Sequence, residues 1–112
     1  MNESIKELHE TLIAQHAALA DKLGEETDVN KAKAIVMEMQ EVLHRIDIAQ
    51  NLLFRSSSAA LTKGMEKVRE ADTKLSQAIA AAEKVGDFVK ATGEFLKVVD
   101  KALDLAKTLA IV

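Results

Sequence analysis

Apolar side chains recur at alternating steps of three and four residues along nearly the whole chain, and no proline interrupts them. A mean step close to 3.6 collects those side chains on one side of an α-helix, whereas a half-buried strand would need strict alternation. Glycine is the only strong breaker available, at Gly24, Gly64, Gly86 and Gly93. The chain is therefore predicted to be all-α.

Four periodic segments can be marked out. Residues 3 to 23 carry Ile5, Leu8, Leu12, Leu19 and Leu23 on one seam, widened by Ile13 and Ala20 and interrupted by Gln15. Residues 29 to 55 continue with Ala32, Ile35, Met39, Val42, Ile46, Ala49 and Leu53, flanked by Val36, Leu43 and Leu52. After Ser56, Ser57 and Ser58 a third seam runs through Leu61, Met65, Val68, Ala71, Leu75, Ala78, Ala82 and Val85. Gly24 and Gly86 read as helix C-terminal caps, with Thr27 or Asp28 and then Asp87 capping the helices that follow. Gly64 and Gly93 fall inside periodic segments and read as tolerated or packing glycines.

The predicted architecture is an antiparallel helical bundle of two hairpins, 1–55 and 56–112, forming a single domain over residues 1–112. It has four helices, or three if 29–85 is continuous. Three serines are weak helix formers, and Ser57 or Ser58 can cap a new helix at Ala59, which favours a break. The run Ala78 to Ala82 suits close interhelical approach.

The last segment, about 87 to 112, differs from the others. Asp87, Lys90, Glu94, Lys97, Lys101, Asp104 and Thr108 make one narrow polar stripe, and apolar residues occupy well over half of the circumference. Such a helix needs partners on more than one side, so it is either the central helix or an interface. Taken as an interface, it would bind through Phe88, Phe95, Leu96, Val99, Leu103, Ala106 and Leu109. A homo-oligomer or a helical protein partner is the expected occupant.

Composition narrows the function. With no Cys the chain has no disulfide, thiolate metal site or cysteine nucleophile. With no Trp or Tyr, and Phe54, Phe88 and Phe95 dispersed, it offers no platform for stacking bases. A formal net charge of -3 adds no cationic cluster for phosphates, so no nucleic-acid partner is expected. Residues 1–55 are net acidic and 56–112 slightly basic, which favours contact between the halves. The polar start Met1-Asn2-Glu3-Ser4 does not resemble a signal peptide, and charges interrupt the stretch from Phe95 to Val112. A cytoplasmic location is expected, with export by a route lacking a cleavable signal as the alternative.

Motifs for catalysis or metal binding are incomplete. His9-Glu10 opens the zinc sequence His-Glu-x-x-His, but Ile13 stands where the second His belongs. Glu41 and His44 match the Glu-x-x-His spacing of di-iron bundles, yet such sites need two copies and two further inward glutamates. His16 lies beside the first seam, where burial would make it pH-sensitive, but a boundary histidine bonded to water or a neighbouring side chain is the favoured reading. No base accompanies the serine run. Met39 and Met65 fall on core seams, and Met37 stands off them.

The expected function is non-enzymatic, with no cofactor or metal: an oligomerising bundle, adaptor or small helper protein acting through helix packing, in a setting such as bacterial secretion. A peripheral membrane protein using the C-terminal amphipathic helix is the alternative, weakened by the mixed signs of that helix's polar stripe. A metal-binding bundle ranks below both.

Overall fold

The computed structural model describes residues 2–54, 58–81 and 85–109. They form four helices, α1 (Glu3–Glu25), α2 (Val29–Asn51), α3 (Ala59–Ala81) and α4 (Val85–Leu109), and no strand is present among the described residues. The segment 29–85 is broken. The Leu52 N–H donates to the Ala49 carbonyl at 3.0 Å and the Leu53 N–H to that of Gln50 at 3.4 Å to end α2, and Ser58 Oγ accepts from the Leu61 N–H at 3.1 Å to begin α3. Ser57 lies outside the described residues.

Two of the expected stops are displaced. Gly24 lies inside α1 and Gly86 inside the first turn of α4, and neither has a positive φ. Helix α1 ends instead where Glu26 turns to extended backbone at φ -86 and ψ 129, its N–H closing onto Leu23 O at 3.2 Å. Asp28 then caps α2, its Oδ1 accepting from the Lys31 N–H at 3.0 Å. Asp87 falls within the first turn of α4 rather than at its cap, where a carboxylate still complements the helix dipole. Ala82, expected on the third seam, lies outside the described residues.

At the opposite end of hairpin 1, Asn2 performs two tasks. Its Oδ1 accepts from the Ile5 N–H at 3.1 Å, capping α1, while its own N–H donates to Leu53 O at 2.7 Å just past the end of α2. The start of the first helix is thereby tied to the end of the second.

Helices α1 and α2 pack as one antiparallel pair, and α3 and α4 as the other; α1 then lies beside α3 and α2 beside α4. Around the bundle the order is α1, α2, α4, α3. Glu7 meets Arg69, and Gln15 meets Asp72 and Ser76, so α1 and α3 run parallel. Helices α2 and α3 consequently occupy diagonal corners of the bundle. The bundle measures 48 × 21 × 17 Å, its long dimension following helices that are each roughly 35 Å in length.

All four helices feed one contiguous apolar core. Helix α1 contributes Ile5, Leu8, Leu12 and Leu19, α2 Ile35, Val42 and Ala49, and α3 Leu61, Met65, Val68, Leu75 and Ile79. The third seam therefore ends on Ile79, with Ala78 only half-buried. Ala80 and Ala81 are exposed, so the alanine run does not mark the closest approach. Gly64 instead faces α4, where a β-carbon would sit 3.4 Å from Leu105 Cδ1.

Gly93 has helical backbone and open space around the position of a β-carbon. Gly93→Ala should therefore raise stability by about 1 kcal/mol, read as a higher urea midpoint with an unchanged slope.

Candidate interaction surface

The apolar arc of α4 expected to meet a partner is enclosed by its own chain. Phe88, Phe95, Leu96, Val99, Leu103 and Ala106 are all buried in the core, as is Ala102. The side chain of Leu109 lies outside the described residues. The physical reason is the position of α4 in the bundle. It has α2 on one flank, α3 on the other and the shared interior between them, so these side chains are covered without a second molecule. Any contact made by these residues, with protein or with lipid, would first require the bundle to open.

Polar bonds between the hairpins fix how they sit together. Arg45 on α2 forms a bidentate pair with Asp100 on α4, Nε to Oδ1 at 2.7 Å and Nη2 to Oδ2 at 3.0 Å, while Nη1 holds the Glu41 carboxylate and carbonyl at 2.9 Å. Its hydrogen bond to Asp100 is the main influence holding the guanidinium above its ordinary pKa. Across the other seam Arg69 on α3 clamps Glu7 on α1 through two 2.8 Å bonds. Buried Gln15 joins the same seam, its Nε2 donating to Asp72 Oδ1 at 2.5 Å and Ser76 Oγ at 2.9 Å. Burial, reinforced by the like charge of Glu41, holds the nearby Glu38 carboxyl above its usual range, and Arg45 partly offsets this.

The exposed large apolar side chains are concentrated on hairpin 1. Val29, Val36, Met37 and Leu43 stand out from α2, with Met37 at 65%, Leu43 at 48% and Val36 at 39% exposure, and Ile13 stands out from α1. Val29, Val36 and Leu43 are spaced by sevens, a step that returns to nearly the same side of a helix. They follow the core row Ile35, Val42 and Ala49, so one helix carries a buried row and an outward one. A shallow depression runs over Val29, Ala32, Lys33, Val36, Met37 and Gln40. The sequence reading placed Val36 and Leu43 on the flank of the core stripe; the offset of the two seven-residue rows was the signal that separates them.

A second open groove lies between α3 and α4, floored by Ala71, Val98, Ala102 and Leu105 and rimmed by Lys63, Lys67, Glu70 and Lys101. Elsewhere, Val89 on α4 and Phe54 after α2 are exposed.

The histidines do not assemble a centre. His44 is exposed, His9 and His16 are half-exposed, and Glu41 is engaged by Arg45. Among the described residues no three His, Asp or Glu side chains are placed to hold a metal ion, and no helix is long and apolar enough to cross a membrane.

Two outcomes follow from this arrangement. Val99 is fully enclosed, so Val99→Asp should unfold the monomer itself, with a loss of about 4 kcal/mol or more in urea titration. Arg45 is 14% exposed and Arg69 54%; Arg45→Ala should cost about 2 kcal/mol and persist in high salt. The smaller effect of Arg69→Ala should fade as salt screens its exposed pair. Comparison with protein-family models, curated proteins and solved structures finds no match to this chain.

Proposed function

We propose that this protein is a non-enzymatic helical binding module that works by packing the outer face of its first hairpin against another helical surface, in the manner of an adaptor or small helper protein. The observation that carries this reading is the outward row Val29, Val36 and Leu43 on α2, with Met37 beside it and Ile13 exposed on α1, on a bundle that otherwise encloses most of its large apolar residues. Keeping such side chains in water forgoes roughly 1.5–3 kcal/mol for each one left unburied. A facing helix would recover part of that, with anchors spaced at threes, fours and sevens.

Two surrounding features support the reading. The row sits on a fully helical, capped element, so a partner would meet a preformed surface and little ordering entropy would be lost on binding. The polar residues around it, Lys33, Gln40 and Asp47, are exposed and would form a rim able to choose among partners by charge.

The test is in-cell photocrosslinking from position 40, comparing the native chain with a Val36→Glu, Leu43→Glu variant. Both substituted positions are solvent-exposed, so the variant should keep the helical circular dichroism and unfolding midpoint of the native chain while losing its crosslinked products. Identical crosslink patterns from the two proteins would overturn the reading.

A further inference from the structure

We infer that the outer face of α2 is a homodimer interface in which two copies of this chain pack antiparallel about a two-fold axis at Gln40. This deepens the proposed function by naming the occupant, and it rests on that reading of the hairpin 1 face.

The argument comes from the order of residues along the face. Beside the apolar row Val29, Val36 and Leu43 runs a second row, Lys33, Gln40 and Asp47, also spaced by sevens. The two rows interleave at steps of three and four, the spacing of a helix-pairing seam. Lys33 and Asp47 stand on opposite sides of Gln40, each about 10.5 Å from it along the axis. Both are exposed, and neither takes part in a hydrogen bond or ion pair among the described residues.

That arrangement is self-complementary in one orientation only. With a second copy inverted about Gln40, Lys33 of each chain faces Asp47 of the other, Gln40 faces Gln40, and Val36 with Met37 lies against Leu43. A parallel arrangement in the same register would set Lys33 against Lys33 and Asp47 against Asp47, opposing like charges at both ends. An isologous contact of this kind also closes on itself, so the same patch cannot propagate to further copies.

Since the chain has no cysteine, a single introduced thiol reports directly on the axis. Gln40→Cys should give a disulfide dimer on mild oxidation. Lys33→Cys and Asp47→Cys should crosslink weakly alone and strongly when mixed. In sedimentation equilibrium Lys33→Glu should weaken association about tenfold, and Lys33→Glu combined with Asp47→Lys should restore it. Crosslinking of Lys33→Cys to itself as efficiently as in the mixture would overturn the antiparallel axis. A chain that stays monomeric up to about 1 mM would overturn the dimer altogether. If the monomeric chain still loses its cellular crosslinks in the Val36→Glu, Leu43→Glu variant, only the choice of a second copy fails; if those crosslinks are unaffected, the binding face fails with it.

Discussion

Phe88, Phe95, Leu96, Val99, Leu103 and Ala106 project from one side of α4 into a space bounded by the other three helices, and the bundle is organised around covering them. Each of the larger side chains is worth roughly 2 kcal/mol when removed from water, so the segment supplies a large share of the driving force for folding. No single neighbour could cover an arc that wide. The structure answers with α2 on one flank and α3 on the other, and with the leucines and isoleucine of α1 closing the interior. The two hairpins are thus interdependent: hairpin 2 alone would leave the α2 side of α4 bare.

Apolar burial is non-directional and would tolerate several ways of laying one hairpin on the other. The polar contacts discriminate among them. Arg45 with Asp100 fixes α2 against α4, and Glu7 with Arg69 fixes α1 against α3, each through a two-pronged geometry that a one-turn slide would break. Gln15 adds a buried amide at a position where the seam is otherwise apolar, and it finds its partners only if Asp72 and Ser76 arrive at the same level. A polar group in such a seam gives up some stability for a defined register.

With α4 satisfied internally, the surface chemistry moves to hairpin 1. Helix α2 meets α1 and α4 but turns its far side to solvent, and that side carries valine, methionine and leucine where lysine and glutamate would suffice. The mixed-sign groove over α3 and α4 has a different character, with apolar residues in its floor and long charged side chains along its edges. The molecule therefore presents two unlike outer faces, and only the hairpin 1 face combines projecting apolar residues with an ordered polar row.

The sequence by itself determined the helical class, the positions of the four segments and most of the core, because three-four periodicity and the caps Asp28 and Ser58 are local properties of the chain. It did not determine which apolar residues were surplus. Periodicity reports how wide an apolar arc is, whereas exposure depends on how many neighbours each helix acquires, and that is decided only when the hairpins combine. Helix α4 had the widest arc and became the interior, while Val36 and Leu43 on α2, alike in character to core residues, were left facing water. The stop expected at Gly24 was displaced for a related reason: glycine permits a stop, but the extended Glu26, closing onto Leu23, set where the helix ended.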